Sequence, residues 1–315
     1  MKRFLSILTA LTALVCISAG QESQTPGRSP RFSAEVEQVV VYAAVYDEQG
    51  QLASGLTRDD FTVYEDRVPQ TLTSFVRAEV PATVGIVLDS SGSMRSKMPD
   101  VEKAIDLFLS QNNPDNQLFF IRFDDEATLE EDFTQNVEDI RDAISNVVVK
   151  GGTALYDAIY LAVNKAREGN EPKKVVVVFT DGEDKDSFYK PEELLQKVQE
   201  METQVFIVAF LDKDLSEDKG FFGLFKSQRA KVEQEINQIA EVTGGKAFFP
   251  QSVNELGPAF ASIASELKNQ YQLAYISTQT AHDGAWRRID VKIKDAEKRG
   301  LKVRYKKGYY APKDS

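Results

Sequence analysis

The chain has 315 residues, 42% of them hydrophobic and 28% charged, with a formal net charge of −11 and an isoelectric point near 4.9. This is the balance of a globular protein, long enough for one large domain or two ordinary ones. The acidic excess excludes nucleic acid and anionic lipid as partners by bulk electrostatics and favours the attraction of cations.

The N-terminus has the pattern of a secretory signal. Lys2 and Arg3 precede the apolar run "FLSILTALTALVCI", and "SAG" before Gln21 supplies small residues for cleavage. A retained membrane anchor is the competing reading, although the run is short for a span and no other stretch could cross a bilayer. The single cysteine, Cys16, lies inside this leader. Lipid attachment there would anchor the chain, but "ALV" before it lacks the small residue such processing favours. Cleavage after Gly20 leaves no cysteine, so a packed core and not disulfides must stabilise the mature protein.

Residues 1–20 therefore read as a signal peptide and the Pro/Gly/Ser-rich residues 21–35 as a linker. Residues 36–79 alternate in the strand manner around turns at "DEQG" and "EDRVP", predicting three or four antiparallel strands without helix.

The rhythm changes over 80–267. "TVGIVLD", "QLFFIRFD", "KKVVVVFTD" and "TQVFIVAFLD" are short, nearly continuous apolar runs, suited to strands covered on both faces. "ATLEEDFT" at 127–134 reads as an antiparallel edge strand. Between the runs lie helical stripes: Val101, Ala104, Ile105 and Phe108; Leu155, Ala158, Ile159, Ala162, Val163 and Ala166; Leu194, Leu195, Val198 and Met201; Leu256, Phe260, Ile263, Ala264 and Leu267. The alternation predicts a doubly wound α/β domain with a mostly parallel sheet.

After residue 267 the chain returns to strands, "QYQLAYIST", "WRRIDVKIK" and "LKVRYKKGYYAP", with "QTAHDGA" read as a hairpin turn between the first two. Neither 36–79 nor 268–312 has enough strands for its own core, so the two should form one smaller antiparallel β-domain into which the α/β domain is inserted.

Ligands of open α/β sheets bind at the carboxyl ends of the strands. Asp89 ends the first apolar run, with Ser91 and Ser93 following at spacing two. Asp181 ends another run, and Thr153 in "KGGTAL" begins a helix. Two carboxylates and three hydroxyls make an all-oxygen set suited to Mg²⁺. Zinc and copper lack nitrogen or sulfur ligands, since the only histidine, His282, lies in the distant β-region. Each piece alone could be a loop, an acidic turn or a helix cap; three at corresponding element ends point to a site.

At these residues the chain resembles the metal-ion-dependent adhesion site of von Willebrand factor type A domains, over roughly residues 82–267. "DFTVYED" and "YKKGYYAP" further resemble a secreted bacterial subfamily with β-strands on both sides of that domain. The resemblance implies a six-stranded, Rossmann-like sheet in the order 3-2-1-4-5-6 with one antiparallel edge and helices on both faces. It also implies Mg²⁺ or Mn²⁺ held by Asp89, Ser91, Ser93, Thr153 and Asp181, with a free position for an Asp or Glu of a protein partner. Met94-Arg95 stand where integrin β-subunits carry extra acidic residues for an adjacent cation; Glu183, Asp184 and Asp186 could bind a second cation or form a solvated acidic loop.

A hydrolase reading lacks a histidine beside the serines, and no phosphate-binding glycine loop is present for a nucleotide. The expected function is a secreted or periplasmic, non-enzymatic, metal-dependent adhesion-type module; the alternative is an assembly component whose metal is mainly stabilising. In the long connection 212–231, Phe221, Phe222, Leu224 and Phe225 are either packed on the domain or an apolar partner contact beside the metal, and a helix is expected from near Lys231.

Overall fold

The computed structural model describes residues 38–313 apart from 78, 183 and 212–223, and the backbone alone of 224–228. The described strands form three sheets. The central one contains β5 (Ala82–Asp89), β6 (Gln117–Phe123), β7 (Ala127–Thr134), β8 (Lys173–Thr180), β9 (Thr203–Ala209) and β10 (Ala247–Phe248) in the order β10-β9-β8-β5-β6-β7. All neighbours are parallel except β7, which pairs antiparallel with β6 at the edge. The order is the one the family resemblance implies, and the antiparallel edge strand is the one read at 127–134.

Helices α1 (Met98–Ser110), α2 (Val137–Ser145) and α6 (Leu256–Asn269) cover one face, packing on Val84, Ile86, Leu88, Val177 and Phe179. Helices α3 (Leu155–Glu168), α4 (Pro191–Gln199) and α5 (Leu224–Val242) cover the other, packing on Val87, Phe119, Val176, Val178 and Ile207. Strands buried on both faces need apolar residues at every position, which explains the unbroken runs. Gly85 in β5 leaves room for a neighbour: a Cβ there would stand 2.2 Å from the ring of its cross-strand partner Phe119.

Three helix expectations need correction. Met201 lies beyond the end of α4, although it and the half-buried Leu195 still pack on the core beside the buried Leu194 and Val198. The nine-residue α2 was not expected; Asn136 caps it by accepting from the Glu138 amide, and only Ile140 and Ile144 are buried. Helix α5 begins at Leu224, not near Lys231.

The flanking strands are β1 (Gln38–Tyr46), β2 (Phe61–Glu65), β3 (Val68–Gln70), β4 (Leu72–Val76), β11 (Tyr271–Ile276), β12 (Trp286–Ile293), β13 (Lys302–Arg304) and β14 (Gly308–Tyr310). They form two four-stranded antiparallel sheets, β13-β1-β11-β4 and β14-β12-β2-β3, each mixing strands from both ends of the chain. A shared core of Val41, Ala43, Phe61, Val63, Tyr271, Leu273, Ile289 and Val291 lies between them. The tight β2–β3 turn places Asp66 and Arg67 at φ +46° and +72°, the left-handed geometry that matches strand twist. "QTAHDGA" is not a hairpin turn: β11 pairs with β1 and β4, whereas β12 pairs with β2 and β14, so the segment crosses from one sheet to the other.

The chain leaves β4 for the α/β region and returns on β11, and these two strands pair with Val76 opposite Gln272. The α/β layer is therefore entered and left at neighbouring points.

Candidate metal centre

β5 delivers Asp89 to the carboxyl edge of the central sheet, where its side chain is fully buried. Both carboxylate oxygens are oriented. The Ser91 amide donates to Oδ1 at 2.9 Å and the Thr180 hydroxyl donates to Oδ2 at 2.8 Å. Thr180 is itself held by the Gly182 amide, which donates to its hydroxyl at 3.0 Å. The Ser91 and Ser93 hydroxyl oxygens lie 3.0 Å apart as the chain turns through a 3-10 segment, Gly92–Ser96, into α1.

Backbone hydrogen bonds lock the neighbouring loops together. The Gly92 amide donates to the Gly151 carbonyl at 3.3 Å and the Lys150 amide to the Ser90 carbonyl at 2.8 Å. These contacts bring the serine loop against the loop that carries Thr153. The latter is fastened in turn to the segment after Asp181. The Lys185 and Asp186 amides donate to the Thr153 carbonyl at 2.9 and 3.2 Å, and the Thr153 amide donates to Asp186 Oδ2 at 2.7 Å. The sequence "GGT" is dictated here: Gly151 has φ +74°, and a Cβ on Gly152 would fall 1.8 Å from Asp186 Oδ2.

Asp181 completes the cluster. It is buried, and its Oδ1 has no hydrogen-bond partner among the described residues. Burial, and then the negative charge of Asp181, push the Asp89 carboxyl up to about 6. Two buried carboxylates that repel each other, one with an unpartnered oxygen, beside two serine hydroxyls, are a donor set that fits a hard divalent cation. No group of three or more His, Cys, Asp or Glu side chains converges as a metal cage among the described residues, so any cation here must use hydroxyl oxygens as well as carboxylates.

The acidic residues after Asp181 do something neither sequence reading anticipated. Asp184 Oδ1 accepts from the Tyr156 amide at 3.2 Å and from the Ser187 hydroxyl at 2.5 Å; Asp186 holds Thr153. Asp157 reaches back to accept from the Phe188 and Tyr189 amides at 2.9 and 3.0 Å. These carboxylates brace the start of α3 and the loop beside it. Glu183, Phe221 and Phe222 lie outside the described residues, as do the side chains of Leu224 and Phe225.

Sequence reasoning passed over Thr180, which reads as the last residue of an apolar strand, and Gly152, whose need appears only when Asp186 is in place. The dipeptide Thr180-Asp181 before a glycine was the available signal.

Residues 83–262, more than half of the chain, match the family model of the von Willebrand factor type A domain. The chain belongs to that family. Type A domains are commonly protein-interaction and adhesion modules and are generally not enzymes. A curated relative, inter-alpha-trypsin inhibitor heavy chain H4 of Bos taurus, is 28% identical over 117 residues, which is 33% of this chain and 13% of the relative. Among solved structures, a von Willebrand factor type A protein from Catenulispora acidiphila superposes with a TM-score of 0.47 at 13% identity, covering 89% of this chain and 74% of that one. A D319A mutant of the PilB minor pilin from Streptococcus sanguinis gives 0.48 at 12% identity, covering 61% and 62%.

Proposed function

We propose that this type A domain protein is a secreted or periplasmic binding module that captures an Asp or Glu side chain of a protein partner through Mg²⁺ or Mn²⁺. The residues that would hold the cation are Asp89, Ser91, Ser93, Thr153 and Asp181. The observation that carries the reading is the buried Asp89–Asp181 pair, in which Asp181 Oδ1 has no partner among the described residues. When bound there, the cation supplies a Lewis-acid position that a carboxylate can fill. The chain's own part is orientation: Ser91 and Thr180 fix Asp89, and the interlocked loops hold the hydroxyls in place. The leader with Lys2 and Arg3 supports export. A hydrolytic reading is not supported, because His282 belongs to the crossing between the β-sheets, not to the loops around the serines.

Titration calorimetry with Mg²⁺ tests the reading. One dominant site should appear in the wild type and be lost in Asp89→Ala. An Asp89→Ala protein that binds Mg²⁺ like the wild type would overturn the assignment.

A further inference from the structure

A cavity of about 420 Å³ lies at the seam between the β-sandwich and the α/β layer, and it shares no residue with the candidate metal centre. Its walls come from the end of β1 and the turn after it, from α5, from the start of β10 and from β13. The volume falls in the range of about 300–1,000 Å³ usual for small-molecule sites.

Two cations meet at the Tyr46 ring, which lines this cavity. The Arg304 guanidinium lies 5.8 Å from the ring centroid and the Lys246 ammonium 5.4 Å. Arg304 is satisfied within the chain. It pairs with the buried Glu266 carboxylate and donates to the Tyr46 hydroxyl at 2.8 Å and to the Gly244 carbonyl at 3.2 Å. Lys246 has no such partner. Among the described residues its ammonium meets aromatic faces, the second being Phe248 at 4.7 Å, and no hydrogen bond or ion pair reaches it. Burial, and then the charge of Arg304, lower the pKa of this half-buried ammonium. An anion beside it would relieve both effects.

The backbone dictates where Lys246 stands. Gly244 turns at φ +78°, and a Cβ there would lie 2.7 Å from the Lys306 amide nitrogen; a Cβ on Gly245 would fall 1.9 Å from the Val205 carbonyl oxygen. Only a pair of glycines lets the chain pass this close to β9 and to the segment after β13 before it delivers Lys246 to the cavity wall. The remaining lining restricts the anion. Asp47, Glu48 and Glu241 also line the cavity, and these three carboxylates oppose the entry of a multiply charged anion. The Tyr46 ring, Ala247 and Val303 supply apolar surface.

We infer that this seam cavity is a second ligand site and that it takes a small organic monocarboxylate, whose charged end pairs with Lys246 while its apolar body lies against Tyr46 and Val303.

Saturation-transfer NMR and titration calorimetry on the full chain test this with benzoate, phenylacetate and hexanoate, each compared with its uncharged amide, and with inorganic phosphate. At least one of the three carboxylates should bind with a dissociation constant of about 1 mM or below. Its amide, and phosphate, should bind at least about tenfold more weakly. Lys246→Met keeps an unbranched stem between the Tyr46 and Phe248 rings and removes the charge. It should weaken binding of that carboxylate at least about tenfold, with no fall in melting temperature and unchanged Mg²⁺ affinity, and Lys246→Arg should retain binding. No binding by any of the three carboxylates, equal binding of acid and amide, or equal binding by wild type and Lys246→Met overturns the inference. Phosphate bound as tightly as the carboxylates overturns it as well.

Discussion

The two edges of the central sheet bury charge in opposite ways. At the amino edge, where the sheet meets the β-sandwich, Glu266 is almost fully buried and bonded to Tyr46, Arg304 and Gln270. Lys173, the first residue of β8, is likewise buried; its ammonium donates to the Leu267 carbonyl at 2.9 Å and lies 5.3 Å from the Tyr42 ring. Lys306 donates to the Met201 carbonyl. Each of these charged groups has a hydrogen-bond partner within the chain, although for Lys173 and Lys306 it is a neutral carbonyl. At the carboxyl edge, the charge of Asp181 acts on Asp89, and Asp181 Oδ1 has no hydrogen-bond partner among the described residues. Among the described residues three other buried oxygens also lack partners, those of Thr203, Gln204 and Gln270, but they are neutral and lie toward the amino edge. Among the described residues, the charged oxygen without a partner is at the carboxyl edge. Satisfied buried charge fastens two layers together; unsatisfied buried charge marks capacity kept for something outside the chain.

The largest effect should come from breaking a satisfied pair. Glu266→Ala leaves the Arg304 guanidinium without its carboxylate and should destabilise the protein by about 3–5 kcal/mol in equilibrium urea unfolding. Mg²⁺ affinity should be unchanged, because the centre lies at the other edge.

Lys173 gives a pH-dependent test of the same edge. Burial lowers its folded pKa to about 8 from 10.5. Between those values the unfolded chain binds more protons than the folded one, so stability rises as pH climbs through that window, by up to about 3 kcal/mol. Below pH 8 the full penalty of burying the cation is present. Lys173→Met should therefore be more stable than wild type at pH 7, by less than that figure because the bond to Leu267 is also lost. The advantage should shrink from pH 8 to 10.5. A constant difference across that range, measured by urea unfolding, would show that the buried ammonium carries no such penalty.

At the carboxyl edge the smallest stability change should accompany a clear change in binding. Thr180→Val keeps the shape of the side chain and removes the donor to Asp89. Mg²⁺ affinity should fall about tenfold to a hundredfold, as for other residues that orient ligands, and the melting temperature should move by no more than a few degrees. Thr180→Ser should restore most of the affinity.

The contrast between edges was only half legible in the sequence. Asp89, Ser91, Ser93 and Asp181 could be singled out because apolar runs end abruptly in oxygen-bearing residues, a pattern that a sheet buried on both faces imposes locally, and Thr153 because it begins a helix after two glycines. The runs gave a doubly wound, mostly parallel sheet, and the six-stranded order came from the family resemblance. The amino edge could not be read: Glu266, Tyr46 and Arg304 are separated by long stretches of chain and meet only through the pairing of β1 with β11 and β13. The crossing at "QTAHDGA" was hidden for the same reason, since strand order depends on distant partners and not on the turn itself. Helix α2 escaped notice because only two of its residues are buried, and Thr180 because its hydroxyl acts at the end of a strand that otherwise reads as core.

Electron paramagnetic resonance titration of Mn²⁺ into wild type and Asp181→Asn tests most directly whether the unanswered oxygen belongs to a cation. The wild-type chain should bind a single Mn²⁺, displaced by Mg²⁺. In Asp181→Asn the affinity should be lower by at least about a hundredfold, beyond the usual effect of removing an orienting neighbour, with the melting temperature preserved. Equal Mn²⁺ binding by the two proteins, or none by the wild type, would contradict a cation at that oxygen.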